Sequence, residues 1–383
     1  MVRALYIHWP FCLQKCPYCD FNSHVRDSVD AVAWGKALTA EMRHERAAVE
    51  AAPLTSIFFG GGTPSLMPPA LVAALLDEAE ALWGFAPDIE VTLEANPSSV
   101  EAANFAALAA AGINRVSLGV QALDEPALRF LGRRHDLAEG LAALAIAQRH
   151  FARVSFDLIY ARPGQTAEAW DAELTRALGF GTGHLSLYQL TIEPGTRFAT
   201  LRREGAFTPL DDDAAADLFA LTAARTAASG LCAYEVSNHA RPGEESRHNL
   251  TYWRYRDYAG IGPGAHGRRG GVATVRHRKP ENWLAAVAAH GHGLAGQQRL
   301  DARQQAGEAL MMGLRLAEGI DIAALAARFD LPQAALLDER RVALHAGNGL
   351  LRRSPTRLTV PPAGMVLLDA LLADIVPAAL LAA

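Results

Sequence analysis

The sequence predicts an α/β protein: a parallel sheet, doubly wound or closed toward a barrel, followed by a smaller helical appendage. Strand-like and helix-like segments alternate over the first two-thirds of the chain, the rhythm of a parallel sheet with crossover helices. Polar residues recur where the strand-like runs end, which is where such folds place their chemistry. Half of the 383 residues are apolar and a fifth are charged, enough to fill one large core and a second, smaller one.

The strand candidates are Ala4–His8, Ser56–Phe59, Ile89–Glu94, Arg115–Gly119, Val154–Ile159 and His184–Leu190, each a short apolar, β-branched or aromatic run. Helical spacing marks Val32–Ala51, Ala70–Trp83, Val100–Ala110, Asp124–Leu131, Ala138–His150 and Ala167–Phe180 between them. A further helix (Asp212–Ser229) and strand (Leu231–Ser237) extend this unit. Residues His239–Gly271 are rich in Gly, Arg, Tyr and His and show little periodicity. After Pro280 the chain is helical again, and Leu350–Arg352 with Arg357–Val360 reads as a small hairpin, giving a winged-helix-like end. The expected division is 1–237, a linker region 238–289, and a C-terminal unit 290–383.

The formal net charge of −5 argues against a general nucleic-acid binder, which carries a basic excess. No apolar run approaches the roughly 18–20 residues of a membrane span. The tail Met365–Ala383 is interrupted by Asp369 and Asp374 and reads as an amphipathic helix packed on the body, with peripheral membrane contact as a second choice. The chain opens without a signal peptide, so a reducing cytoplasm and free thiols are expected.

Three of the four cysteines, Cys12, Cys16 and Cys19, lie in a C-x3-C-x2-C segment directly after the first strand. Clustered thiolates are preferred ligands of iron–sulfur clusters, and three of them leave one iron of a four-iron cube open. The rival is a Cys3His zinc site completed by His8 or His24. Gly60-Gly61-Gly62-Thr63 follows strand two, where glycines let backbone amides approach a ligand; an ordinary tight turn has the same composition. Glu94 ends strand three before Asn96-Pro97, suited to an ammonium group or ribose hydroxyls but equally to a capping role. Gln121 and Asp157 repeat that placement on later strands, and Arg133 stands in a Gly-Arg-Arg-His run.

Together these motifs resemble the radical S-adenosylmethionine (SAM) enzymes, and within them the oxygen-independent coproporphyrinogen oxidase group, over nearly the whole chain. The resemblance implies a partial (β/α)6 barrel and a [4Fe–4S] cluster on Cys12, Cys16 and Cys19, with S-adenosylmethionine at the open iron. It implies Tyr6 and Tyr18 flanking cluster and cofactor, Gly61, Gly62 and Thr63 at the methionyl end, and Glu94, Gln121, Arg133 and Asp157 lining the rest.

Two features point to the HemW-type heme chaperones within that group. Phe21 stands where coproporphyrinogen oxidases carry a fourth cysteine, and Arg247-His248-Asn249-Leu250-Thr251-Tyr252-Trp253 contains the H-N-x-x-Y-W signature. The resemblance implies heme as a ligand, with His248 the candidate heme-associated residue and His239 and His266 weaker alternatives. It also implies acceptor hemoproteins, among them respiratory enzymes, as partners, and a homodimer in exchange with monomer. The alternative is radical decarboxylation of coproporphyrinogen III. Cys232 reads as a buried small residue. Ala161-Arg162 departs from the family's usual Gly-Leu, which puts cofactor affinity or turnover in question.

Overall fold

The computed structural model describes residues 1–26, 28–50 and 52–381. Six parallel strands form the heart of the molecule: β1 (Ala4–Trp9), β2 (Leu54–Gly61), β3 (Phe85–Ala95), β4 (Arg115–Gln121), β5 (Arg153–Tyr160) and β6 (His184–Gln189). They pair in chain order, β1 through β6, with no reversal. A doubly wound sheet needs a point where strand order reverses; sequential pairing is the topology of a barrel. Ala259–Ile261 adds in parallel beside β1, Asn238–Ala240 adds antiparallel beside β6, and Cys232–Ala233 pairs outside it. Among the described residues the two ends of this sheet do not pair with each other, so the barrel is open on one side. The expected barrel architecture is therefore present.

Strand residues such as Leu5, Ile7, Ile57, Phe59, Leu93 and Leu118 are wholly buried beneath the helical layer. The helices start where side chains satisfy their free amides. Asp30 caps Ala31–Ala47, Asp136 forms a capping box with Glu139 on Leu137–His150, and Thr166 caps Ala167–Leu178. The segment expected as one helix over Val100–Ala110 is two short ones, Ser99–Ala102 and Phe105–Ala110. Leu231–Ser237 is not one strand: only Cys232–Ala233 is extended, and the chain turns back into Asn238–Ala240. Cys232 is exposed at that edge, not buried as its apolar neighbours suggested.

The region without periodicity is ordered by long-range contacts. It contains helix Arg247–Trp253 and strand His266–Arg269, which forms a hairpin with Val272–Arg276 that Leu294–Arg299 extends. Two buried carboxylates on the first helix hold this hairpin. Glu41 accepts hydrogen bonds from Gly262 N (2.8 Å), Gly293 N (2.7 Å) and Trp283 Nε1 (3.0 Å), and Glu45 lies 2.6 Å from Arg276 Nη2. Beyond residue 300 a second core gathers Leu310, Leu325, Val342, Leu358 and Leu372 under helices and a three-stranded antiparallel sheet, Ile320–Asp321, Arg357–Thr359 and Arg352–Arg353. The tail is three short helices, Pro362–Met365, Leu368–Ile375 and Ala378–Leu381, packed on that core; Ala382 and Ala383 lie outside the described residues. Among the described residues no helix is long and apolar enough to cross a membrane.

Candidate functional site

The cysteine loop leaves the C-terminal end of β1 and folds back through the short parallel pair Phe11–Cys12 and His24–Val25. Three other parts of the chain pin it. Gln14 Nε2 donates to Gly132 O (3.3 Å), Phe198 N donates to Pro17 O (2.9 Å), and Asn22 Nδ2 donates to Pro263 O (2.9 Å). The loop arches over a cavity of about 140 Å³ at the C-terminal ends of β2 to β5. Its walls bring together Cys12, Cys16, Cys19, Tyr18, Gly61, Gly62, Thr63, Glu94, Gln121, Arg133 and Asp157. Eleven of the twelve residues that the resemblance assigns to cluster and cofactor thus share one cavity.

Cationic and hydroxyl donors face the sulfurs. Thr63 Oγ1 donates to Cys12 Sγ (3.4 Å), and Arg133 Nη1 lies 3.3 Å from both Cys16 Sγ and the Tyr18 hydroxyl. Arg133 Nη2 donates to Asn96 Oδ1 (2.5 Å) and Gly119 O (2.8 Å). Asn96 Nδ2 in turn donates to Thr63 Oγ1 (3.0 Å), and its own amide donates to buried Glu101 (2.8 Å). Asn96 is the residue sequence reading missed. It was visible only as the Asn-Pro stop after Glu94, yet it sits at a strand end like the others.

Gly61 and Gly62 are required sterically. Gly61 has φ +118° and a Cβ there would lie 2.5 Å from the His8 ring; at Gly62 it would lie 2.7 Å from Phe11 O. Glu94 Oε2 accepts from Gly61 N (3.0 Å), and Ser117 Oγ donates to Asp157 Oδ1 (3.1 Å). Burial pushes the Glu94 carboxyl up to about 8, aided by nearby Asp157, and burial raises Asp157 to about 6 against the pull of Ser186 and Ser117. Burial also raises the Cys12 and Cys19 thiols.

The donor set fits a cube better than a single ion. A tetrahedral zinc site needs its ligands converged on one point about 2.3 Å from each sulfur. No three His, Cys, Asp or Glu side chains do so among the described residues. The proposed fourth zinc ligands are engaged elsewhere: His8 Nδ1 bonds to the Tyr6 hydroxyl and Nε2 to Asn22 O (both 2.9 Å), and His24 Nε2 to Asn22 Oδ1 (3.3 Å). Thiolates on a cube bind separate irons and need no common point. Cys12, Cys16 and Cys19 are partly exposed around the cavity, with Phe21, 59% exposed, at its mouth.

Two expected site residues lie elsewhere. Tyr6 is one layer deeper in the barrel, between His8 and Phe58, and does not wall the cavity. His248 is not in a polar loop: it sits in helix Arg247–Trp253, 1% exposed. Its Nδ1 bonds to Ser56 Oγ (3.1 Å), its Nε2 to the Tyr252 hydroxyl, and its ring stacks on Phe58. Burial drives its pKa down to about 3. With both nitrogens committed inside the barrel, this geometry offers no axial ligand at His248. His239 is equally buried, bonded to Thr226 Oγ1 (3.0 Å).

The Ala161-Arg162 departure is compensated locally. Ala161 takes φ +56°, the left-handed region that favours glycine. Arg162 is buried, but it is paired with Glu173, which also receives Leu123 N (2.7 Å). A cavity of about 620 Å³ beside this pair, walled by Phe130 and Pro163, is larger than the cysteine cavity but holds none of its residues.

Comparison with known proteins agrees with this geometry. Residues 6–176 match the radical SAM superfamily, and residues 300–367 match the HemN C-terminal domain. The heme chaperone HemW of Mycobacterium tuberculosis is 37% identical over 96% of this chain and 93% of its own length. The chain belongs to the HemW family of radical SAM proteins. The Escherichia coli HemW is 39% identical over 82% of this chain and 83% of its own. The mitochondrial radical S-adenosyl methionine domain-containing protein 1 of Bos taurus is 41% identical over 83% and 74%. The fold is also that of Escherichia coli coproporphyrinogen III oxidase (HemN), with TM-score 0.82 over 97% of this chain and 89% of that one, at 23% identity.

Proposed function

We propose that this HemW-family protein is a cytoplasmic heme chaperone, which binds heme and passes it to acceptor hemoproteins, respiratory enzymes among them. It carries a [4Fe–4S] cluster on Cys12, Cys16 and Cys19, with S-adenosylmethionine at the fourth iron. The observation that carries this reading is Phe21 at the cavity mouth, where the coproporphyrinogen oxidase pattern has a fourth cysteine, in a chain matching proteins named heme chaperones along almost its whole length. When bound, cluster and cofactor supply one-electron chemistry at the sulfonium. The chain's own residues bind and orient. Gly61 and Gly62 open the backbone to the methionyl end, Glu94 and Asp157 offer carboxyl groups deeper in the cavity, and Arg133 balances the charge of the Cys16 thiolate. A homodimer in exchange with monomer accompanies the family reading.

An anaerobic heme titration of cluster-reconstituted protein, followed at the Soret band, tests it. Saturation near one heme per chain is expected; no saturable binding would sink the proposal. The alternative, radical decarboxylation of coproporphyrinogen III, draws support from the complete cofactor cavity. Product formed from coproporphyrinogen under anaerobic reducing conditions would put it first.

A further inference from the structure

A second opening holds metal-ligating side chains that the cysteine site does not use. It is a cleft of about 370 Å³ between the hairpin His266–Arg269/Val272–Arg276 and helix Ala302–Gly313. Trp253 and Met311 line it, and Met311 is 38% exposed at its rim. Unlike His8, His184, His239 and His248, exposed His266 makes no side-chain hydrogen bond among the described residues. Partial burial and the Arg276 and Arg278 charges lower its pKa, so its ring is neutral at physiological pH with a lone pair to give.

Two cations stand in the walls. Arg268 is 5% exposed, its guanidinium 3.5 Å from the Tyr255 ring centroid, with Nε lacking any partner among the described residues. Arg315 Nη2 holds only exposed Asp369 (2.8 Å), a pair that water and anions readily exchange. One carboxylate, Glu308, shares the wall, occupied by the Tyr255 hydroxyl (2.5 Å) and 4.0 Å from Arg268. The ligand that matches is flat and apolar at its centre, carries a metal with an open axial position, and is anionic at one edge.

We propose that this cleft docks heme, with His266 as axial ligand, Trp253 and Met311 against the macrocycle, and Arg268 and Arg315 toward the propionates. The proposal rests on the heme reading of the preceding section. It also separates the roles of the two ends of the H-N-x-x-Y-W helix. His248 anchors one end inside the barrel, while Trp253 at the other reaches the cleft. A cleft open on one side suits a protein that must surrender its cargo.

The test is a titration of the full chain with ferric heme, comparing wild type with His266→Ala, Met311→Glu and Cys232→Ser, each checked for fold by circular dichroism. His266→Ala is expected to weaken binding about tenfold or more and shift the Soret band, with added imidazole restoring it. Met311→Glu, at a half-exposed position that tolerates charge, weakens binding too. Cys232→Ser, the exposed thiol outside the cleft, leaves it unchanged. Wild-type affinity and spectrum in His266→Ala, or loss on Cys232→Ser instead, would overturn the site while leaving the chaperone reading standing. No saturable binding by wild type removes both.

Discussion

Arg133 reaches across the mouth of the barrel to place Nη1 3.3 Å from Cys16 Sγ while Nη2 holds Asn96 Oδ1 at 2.5 Å. One planar guanidinium therefore fixes a cysteine from the loop to the end of β3, as a point-charge ammonium would not. Because Asn96 also grips Thr63, which touches Cys12, two of the three thiols are positioned through one network.

Arg133→Gln should assemble the cluster but lose it to oxygen roughly tenfold faster, since a second-layer partner is gone while the ligands remain. Decay of the broad cluster absorbance in air reads this directly. Equal decay in variant and wild type would show that the network is only structural.

Reconstitution of the cluster should improve as pH rises. The Cys12 and Cys19 thiols are raised by burial, and metal binding must release their protons. Iron content per chain after loading at pH 6.5 and 8.5 checks the sign. Any one of the three Cys→Ser changes should abolish a stable four-iron site without unfolding the barrel, whose core lies beneath the loop.

Unloaded protein should be most stable near pH 6.5. Below it, His8, His135, His239 and His248, held near 4, 4, 4 and 3, must take up protons to match the unfolded chain, so stability is lost as pH falls from about 6.5. Asp157 and Glu94, raised to about 6 and 8, run oppositely: their contribution is lost as pH rises through those values. Burial also lowers His24, His44, His184 and His266 and raises Glu41, Glu101 and Glu235, so the lowered histidines outnumber the raised carboxylates on the acid side, while Glu94 still acts between 6.5 and 8. Melting curves across pH test this, and Glu94→Gln should flatten the alkaline arm.

His248→Ala should destabilise the fold by about 2–4 kcal/mol, from the cavity and the stranded Ser56 and Tyr252 hydroxyls. Heme binding per folded chain should stay unchanged. A selective loss of heme at full stability would restore His248 as a ligand.

Arg162→Leu should cost about 3 kcal/mol by leaving the Glu173 carboxylate buried without its counter-charge, with Glu173→Gln recovering part of it. Ala161→Gly should be neutral to about 1 kcal/mol stabilising, as relief of φ +56° slightly exceeds the added freedom of the unfolded chain. Urea denaturation measures both.

The six strands, their crossover helices and the cysteine loop were legible in the amino-acid sequence because each rests on local signals: periodicity, caps, glycines and spacing. The cavity residues were legible for a related reason, since a parallel barrel gathers strand ends whatever lies between them. Residues 239–271 carried little such periodicity. Their order comes from Glu41, Glu45 and Arg276, partners more than two hundred positions apart, so only the folded chain decides where His266 and Trp253 stand. The same applies to His248 and Cys232. His248 is buried by its contacts with Ser56 and Phe58 of β2, and Cys232 is exposed because its short strand lies at the sheet edge, and apolar neighbours in sequence encode neither.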